Sequence, residues 1–272
     1  MLNFVRSCFV AATALSAGSV AAQSTDPFQD PISAEVLPGW SLQDGRRVVG
    51  IKLTLLPGWK TYWRAPGEGG IPPRFDWQRA KNVAAIDMTW PTPNVYVQNG
   101  LQSFGYHDVV VIPVTVTPKS ASKPVRFRGD MDLGVCSDVC MPHALQFDQT
   151  LSHSETRPTP VIAAALADAP YTADEAEVSS SVCKIRPTSD GLSIEAQVTL
   201  PHTGGQEVAV IEAGGHGLWV SSTKTRRAGG TLVAQAEVLH ESGGAFSLNR
   251  SDVRITVIGA DYAVDVKGCT AG

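Results

Sequence analysis

The sequence predicts an all-β protein that contains two β-sandwiches, the second smaller than the first. Three observations support this fold class. Segments rich in β-branched residues recur along the chain, turns rich in Gly and Pro separate them, and a single short stretch has helical character. Short strands punctuated in this way are typical of antiparallel sandwiches.

Three segments rich in β-branched residues predict the first sandwich. Partial alternation of apolar and polar residues marks the segments 47–56, 109–117 and 125–131 as strands. Turn sequences lie between them: PG at Pro57, PGEGG at Pro66, PTPN at Pro91 and NG at Asn99. This pattern assigns residues 23–157 to the first domain.

A helix and a linker are predicted to connect the two sandwiches over residues 158–181. The sequence PTPVIAAALADA favours a helix because Thr159 can cap it, Pro160 suits the first turn and alanine has high helix propensity. The acidic, small and polar sequence YTADEAEVSSS that follows is interpreted as the linker. The second sandwich then occupies residues 182–272, with strands predicted at 192–200, 207–212, 218–222, 232–239, 253–258 and 262–266.

The N-terminus has the features of a secretory signal peptide. Arg6 precedes a short apolar run, and Val20 and Ala22 fit a cleavage site that would remove residues 1–22. Cys8 lies before the apolar run ends, which argues against a lipid anchor. No later stretch approaches membrane length, so no transmembrane segment is expected in the mature chain.

Composition and motifs exclude several function classes. The formal net charge is −4 at pH 7 and no basic cluster exists, so nucleic-acid binding has no electrostatic basis. The pairs at Arg46–Arg47 and Arg226–Arg227 are interpreted as solvated surface. The sequence also lacks a nucleophile-elbow serine, a phosphate loop and an HExxH motif.

Four cysteines remain after removal of the signal peptide, and they form two pairs with different physical properties. Cys183 opens the second sandwich and Cys269 ends it. A bridge closing about 87 residues would stabilise the fold by roughly 4.6 kcal/mol, so this pair is predicted to be a structural disulfide.

The pair Cys136 and Cys140, in GVCSDVCMPH, is predicted to be redox-active. A bridge over so short a loop would stabilise the fold by only about 2 kcal/mol. In an extended strand the two Cα atoms would be about 13 Å apart, so the segment must turn, either as a tight hairpin or as one helical turn. Exposed or strained disulfides are the labile ones. The alternative is a small clip that ties two strands together.

Several charged side chains could alter the reactivity of this pair, because a thiolate needs positive neighbours. His143 and His107 are the main candidates for activation, although each could equally be an ordinary surface residue. The other basic candidates are Arg64, Arg126 and Arg128, and the two carboxylates that would oppose thiolate formation are Asp132 and Asp138.

Three stretches together resemble the periplasmic N-terminal domain of the DsbD family of thiol:disulfide interchange proteins. They are residues 57–73 (PGWKTYWRAPGEGGIPP), residues 90–116 (WPTPNVYVQNGLQSFGYHDVVVIPVTV) and residues 125–143 (VRFRGDMDLGVCSDVCMPH). Their order and spacing match that domain over about residues 30–155. The cysteine spacing is shorter here than in the best-known members.

The resemblance implies an immunoglobulin-like sandwich in the periplasm, with the redox cysteines on adjacent strands. It assigns Cys140 as the attacking thiol and Cys136 as the resolving thiol. It also implies a shielding cap loop over about residues 98–106, with Phe104 the first candidate shield and Tyr106 the second, whereas a plain core position is the alternative for Phe104. Trp59, Tyr62 and Trp63 are interpreted as core aromatics, or else as a wall beside the cysteines.

The function implied is thiol–disulfide interchange as a protein-disulfide reductase, with no cofactor and no resident metal. Full-length DsbD proteins continue into a membrane electron carrier and a thioredoxin-like domain, which this sequence lacks. The expected partners are therefore a separate membrane-bound thiol donor and periplasmic proteins that contain disulfides or are thioredoxin-like. The resemblance also implies a link to cytochrome c biogenesis.

Two other functions remain open from the sequence. CSDVC resembles the C-x-D-V-C stretch of Sco-type copper-delivery proteins, and thiolates suit Cu(I), with His143 or His107 completing a site. Against this, Sco proteins are thioredoxin-like, whereas the flanks here are predicted strands. The second alternative is a non-catalytic adhesion or assembly module in which both disulfides are structural.

Overall fold

Short strands make up most of the computed structural model, which describes residues 30–98, 100–151, 155–215 and 217–272. Within these residues the chain forms twenty strands and one helix. The all-β prediction with two sandwiches is confirmed. The predicted signal peptide, residues 1–22 with Cys8, lies outside the described residues.

The first sandwich contains two sheets, with strand orders β1-β2-β8-β5 and β10-β9-β3-β7-β6, and β4 also pairs with β9. Its core includes Ile51, Ile112, Val114 and Phe127, all fully buried. The strands are β1 Ile32–Ser41, β2 Arg47–Leu55, β3 Lys60–Tyr62, β4 Arg74–Asp76, β5 Val83–Met88, β6 Asn94–Gln98, β7 Leu101–His107, β8 Val109–Pro118, β9 Val125–Cys136 and β10 Cys140–Leu151.

The predicted helix forms as α1, Pro160–Ala167, with Thr159 at the N-cap position. Ile162 is fully buried against Val48 and Val111, so α1 covers the outer face of the sheet that contains β2 and β8. This cover explains why β2 is apolar on both faces rather than alternating. The Thr159 hydroxyl makes no capping hydrogen bond and donates instead to the carbonyl oxygen of Pro38 at 2.8 Å.

The second sandwich also contains two sheets, with strand orders β11-β19-β18-β14 and β15-β17-β13-β12-β20, and β16 also pairs with β17. The strands are β11 Tyr171–Thr172, β12 Ser180–Pro187, β13 Leu192–Thr199, β14 Val208–Glu212, β15 Leu218–Val220, β16 Lys224–Ala228, β17 Thr231–His240, β18 Arg254–Ile258, β19 Ala263–Lys267 and β20 Thr270–Ala271.

The second sandwich begins earlier than predicted. Tyr171 and Thr172 form β11, which pairs in parallel with β19, and Ala176 is buried in the second core. Part of the segment interpreted as a linker is therefore sheet and core. Strand β16 was also missed, because Arg226–Arg227 was interpreted as surface. The side chain of Arg227 instead forms an ion pair with Glu207.

The sheet β11-β19-β18-β14 is buried on both faces. Ala209, Ile211 and Val264 on one face belong to the second core. The alternate residues Val210 and Ile258 belong to the same buried cluster as the core of the first sandwich. Residues Pro31–Gly272 accordingly form one compact unit.

Cys183 and Cys269 are joined by a disulfide with a Cα–Cα distance of 5.7 Å. Cys183 is fully buried on β12, and β20 follows Cys269 directly and pairs in parallel with β12. The bridge thus connects the first long strand of the second sandwich to the chain's last strand. Across the described ranges, none of the helical segments is both long and apolar enough to cross a membrane.

Candidate redox site

A disulfide lies at the tip of the longest hairpin of the first sandwich. Cys136 is the last residue of β9 and Cys140 the first of β10, and the two stand directly opposite each other. Their Cα atoms are 4.1 Å apart and their sulfurs are bonded. Of the two predicted geometries, the structure therefore has the tight hairpin, with Ser137, Asp138 and Val139 as its loop.

The two sulfurs of this disulfide have different environments. Cys136 is only 1% exposed, whereas Cys140 is an exposed residue. The neighbouring apolar residues Val139 and Met141 are also exposed. A thiol of another molecule can therefore approach Cys140, whereas Cys136 is enclosed by the protein.

The enclosure of Cys136 includes a tyrosine hydroxyl. The Tyr62 hydroxyl oxygen lies 2.9 Å from Sγ of Cys136 and 3.6 Å from Sγ of Cys140. It also donates a hydrogen bond of 3.2 Å to the carbonyl oxygen of Gly69. Burial raises the pKa of Tyr62, so the hydroxyl keeps its single proton at neutral pH, and it can donate to a thiolate by turning this proton away from Gly69.

The chain segment 65–71, which follows β3, folds back over Tyr62, and we call it the cover segment. Its glycines allow this close approach. A Cβ at Gly70 would lie 2.8 Å from the ring of Tyr62, and Gly67 has a φ of +77° that favours glycine. At the far end of the segment, Ile71 lies over Gly134, where a Cβ would clash with it. The PGEGG sequence is thus required for packing beside the disulfide.

Lys60 is the basic residue nearest to the disulfide in the sheet. It stands directly opposite Cys136 on one side and directly opposite His107 on the other. Opposed residues in antiparallel strands share a face of the sheet. The residues His107, Lys60, Cys136 and Cys140 therefore form one row across four strands.

The ammonium group of Lys60 also contacts the hairpin formed by β6 and β7. It donates a 3.0 Å hydrogen bond to Oε1 of Gln98 and lies 4.9 Å from the centre of the Tyr96 ring. Burial lowers the pKa of Lys60. Together these residues and Trp59 line an open groove that reaches Cys136. The arrangement places a cation and a hydroxyl donor on the face where a thiolate would form.

Comparisons with known proteins identify the type of domain that carries this disulfide. Residues 29–152 match the family model described as thiol:disulfide interchange protein DsbD, N-terminal. These residues form a DsbD N-terminal-type domain. Domains of this type are periplasmic and exchange thiols and disulfides, so the chain carries a thiol–disulfide interchange domain that contains the Cys136–Cys140 pair.

One solved structure extends the likeness of the fold to both sandwiches. The N-terminal periplasmic domain of ScsB from Proteus mirabilis is similar with a TM-score of 0.67 and 23% identity, covering 91% of this chain and 97% of that chain. The reduced N-terminal domain of DsbD from Neisseria meningitidis has a TM-score of 0.25 and 16% identity, covering 46% and 90% respectively. A search of curated proteins found no match.

The two aromatic residues predicted to shield the disulfide lie on the core face of their sheet, whereas the disulfide lies on the opposite face. Phe104 and Tyr106 are buried in the core, where Phe104 meets Trp63 edge-on and the Tyr106 hydroxyl donates to the carbonyl oxygen of Pro91. Tyr106 stands opposite Thr61, whose neighbours Lys60 and Tyr62 face the cysteines. Because side chains alternate along a strand, neither ring points toward the disulfide.

The predicted activating arginines are engaged elsewhere. Arg64 binds Glu212 in the second sandwich, and Arg126 and Arg128 lie near Asp148 at the opposite end of the β9–β10 hairpin. A position eight to ten residues along β9 from Cys136 is about 25 Å away or more. These three residues therefore do not act directly on the sulfurs.

The two candidate histidines differ in position. His107 lies in the row with Lys60 and Cys136, and its ring contacts the Asp108 carboxylate at 2.6 Å. His143 stands opposite Leu133, three residues along β10 from Cys140, which is about 10 Å. Of the carboxylates, Asp138 lies in the hairpin loop itself, whereas Asp132 is four residues before Cys136.

The sequence analysis did not single out Lys60, and it gave Tyr62 a place beside the cysteines only as the alternative to a core position. The sequence WKTYW places them two residues apart, so a strand would present both on one face, but the sequence does not show which strand that face meets. Of the aromatics in this motif, Trp63 is core, whereas Tyr62 and Trp59 border the site. In the described parts of the chain, no three His, Cys, Asp or Glu side chains are grouped as metal ligands.

Proposed function

We propose that this protein is a periplasmic protein-disulfide reductase that passes reducing equivalents from a membrane-bound thiol donor to disulfide-containing or thioredoxin-like partners. The observation that carries the proposal is the asymmetry of the Cys136–Cys140 pair. One sulfur is on an exposed residue at a hairpin tip, and the other is buried against a hydroxyl donor. This is the arrangement that a two-step exchange requires.

The exchange proceeds in two balanced displacements. In the reduced protein, the Cys140 thiolate attacks one sulfur of the partner's disulfide, and the other partner sulfur leaves as a thiolate. Cys136 then loses its proton and attacks Sγ of Cys140. The partner's second thiolate leaves, both partner sulfurs take up protons, and the Cys136–Cys140 disulfide forms. Two electrons have passed to the partner.

The residues around the pair support each step. The exposure of Cys140 favours its role as the attacking thiol, and the 4.1 Å Cα separation leaves Cys136 positioned to resolve the intermediate. The Tyr62 hydroxyl can turn its proton from Gly69 to a thiolate at either sulfur. The Lys60 charge on the same face stabilises that anion further.

The pair must then be reduced again by an external thiol donor. The same two displacements run in reverse, with the donor's thiolate attacking Sγ of Cys140. The proposed donor is membrane-bound and the proposed partners include those that serve cytochrome c biogenesis. Removal of residues 1–22 on export to the periplasm is part of the same proposal.

Trapping with single-cysteine variants tests the function. Cys136→Ala keeps the attacking thiol and should accumulate mixed disulfides with partner proteins in periplasmic extracts. Cys140→Ala keeps only the buried thiol and should accumulate few. If Cys136→Ala captures no partner, and no donor thiol reduces the unaltered pair, the exchange function is wrong. Tight Cu(I) binding by the reduced protein, without exchange, would support copper delivery instead.

A further inference from the structure

We propose that the second sandwich controls the redox chemistry of the Cys136–Cys140 pair, with Arg64 and Glu68 as positioning residues that hold the cover segment against Tyr62. This inference rests on the proposed exchange function and assigns a role to the second sandwich. The two anchors are contacts with the second sandwich, one made immediately before the cover segment and the other made within it.

Arg64 is the buried anchor, immediately before the cover segment. Its guanidinium binds both carboxylate oxygens of Glu212, at 3.2 and 3.0 Å, and the Thr256 hydroxyl at 3.2 Å. Asp265 lies 3.7 Å away and is held in turn by Arg254. The guanidinium also stacks on the ring of Trp63 at 4.0 Å. Its side chain is only 12% exposed, so these contacts are largely shielded from water.

Glu68 is the second anchor and lies within the cover segment. Its Oε1 accepts a 2.9 Å hydrogen bond from the backbone N–H of Ser222 in the second sandwich. The next residue, Gly69, accepts the hydrogen bond from the Tyr62 hydroxyl. A continuous series of contacts therefore runs from Ser222 through Glu68, Gly69 and Tyr62 to Sγ of Cys136.

The geometry determines what loss of these anchors would change. The cover segment closes the outer side of Tyr62, and the Gly69 carbonyl oxygen accepts the single proton of the Tyr62 hydroxyl, so it competes with the sulfurs for this donor. A thiolate gains more from that donor than a disulfide sulfur does, because hydrogen bonds to charged acceptors are the stronger ones. Freeing the cover segment should therefore release the Tyr62 proton to the thiolate and favour the reduced pair relative to the disulfide.

The equilibrium of the full-length protein with glutathione measures this effect. In that reaction the protein disulfide and two glutathione thiols give the protein dithiol and one glutathione disulfide. We expect Arg64→Met and Glu68→Ala each to shift the equilibrium constant about three- to tenfold toward the protein dithiol. Glu68→Gln keeps an acceptor oxygen and should stay within about twofold of the unaltered protein.

Arg227→Met is the matched control, because Arg227 forms a comparable ion pair with Glu207 inside the second sandwich. It should reduce stability without moving the equilibrium constant. A double-mutant cycle tests the route. In a Tyr62→Phe background, Glu68→Ala should have little further effect, because its action passes through the missing hydroxyl.

The outcomes separate this inference from the proposed function. If the unaltered pair exchanges with glutathione but Arg64→Met and Glu68→Ala remain within twofold of it, the control by the second sandwich is wrong and the exchange function stands. Equal shifts in Arg227→Met, or full additivity with Tyr62→Phe, also overturn the inference. A pair that does not exchange at all overturns both. Glu68 is exposed, so its variants keep the test valid if Arg64→Met fails to fold.

Discussion

The hydroxyl oxygen of Tyr62 lies 2.9 Å from Sγ of Cys136. These residues are 74 positions apart in the chain and meet because β3 and β9 are adjacent in one sheet. The contact places a protonated hydroxyl, which can turn to donate to a thiolate, beside the buried sulfur of a disulfide whose other cysteine is exposed. The redox behaviour of the Cys136–Cys140 pair depends on this environment.

Removing the Tyr62 hydroxyl should make the Cys136–Cys140 disulfide harder to reduce. Tyr62→Phe keeps the ring but removes the donor to the thiolate, so we expect the glutathione equilibrium constant to move about five- to tenfold toward the disulfide. Tyr106→Phe is the control, because that hydroxyl donates to Pro91 on the core face. It should cost about 1 kcal/mol of stability and leave the equilibrium unchanged. Equal shifts in both variants would contradict the assignment.

Lys60 should accelerate reactions of the reduced pair. Its positive charge stabilises a thiolate on the same face, so Lys60→Met should slow alkylation by iodoacetamide at pH 7 about three- to tenfold. Lys60→Arg should retain most of the rate. Lys52→Met, which removes a charge paired with Glu35 on the other sheet, should have no effect. A Lys60→Met rate equal to that of the unaltered protein would show that the charge is too far from the sulfurs.

The two disulfides should respond differently to reductant. Mild dithiothreitol should open Cys136–Cys140 first, because Cys140 is exposed whereas Cys183 is fully buried. Mass spectrometry after alkylation identifies which cysteines have reacted. Replacing Cys183 and Cys269 by alanine should lower the free energy of unfolding by about 2–5 kcal/mol, and replacing Cys136 and Cys140 by much less, since the loop is short. Simultaneous opening of both bridges would contradict this order.

Acid should destabilise the second sandwich through Glu207. Although burial acts to raise the pKa of this carboxyl, hydrogen bonds from Arg227 and Thr203 lower it to about 2, from an ordinary value of 4.5. A depressed folded-state pKa gives stability that is complete above about pH 4.5 and is lost as the pH falls toward 2. The expected loss is about 1–2 kcal/mol after allowance for solvent screening.

Denaturant unfolding at a series of pH values from about 5 to about 2 measures this loss, because Glu207 takes up its proton in that interval. Glu207→Gln should be less stable than the unaltered protein at pH 5, and the difference should shrink as the pH falls. A difference that stays constant over the whole interval would mean that Glu207 does not titrate there.

Much of the fold was predictable because local patterning is strong in the central strands. The segments at β2, β8, β13 and β17 are rich in β-branched residues and were predicted nearly to their ends. Edge and short strands such as β3, β6 and β16 were not predicted, because their polar residues give a weak local signal. Strand β11 was taken for linker because its two residues are held by pairing with β19, which is distant in sequence.

Some residues of the candidate site were also predictable from the sequence, and others were not. The sequence identified Cys136 and Cys140, since a pair with this spacing in an exported β protein is informative by itself. The family resemblance placed Phe104 and Tyr106 near the sulfurs, because it identifies a neighbouring loop but not which side of the pleat faces the disulfide. Register between strands decides that, and a shift of one residue exchanges the faces.

By itself, the sequence determined the β class, the two cysteine pairs and the DsbD-like character of the first half, because these depend on composition, spacing and local pattern. Only the tertiary structure decided that Lys60 and Tyr62 stand beside Cys136 and that Arg64 joins the second sandwich. Those relationships arise from the register of β3 against β9 and from a sheet buried on both faces. Both connect residues far apart in the chain, and local sequence does not encode such pairings.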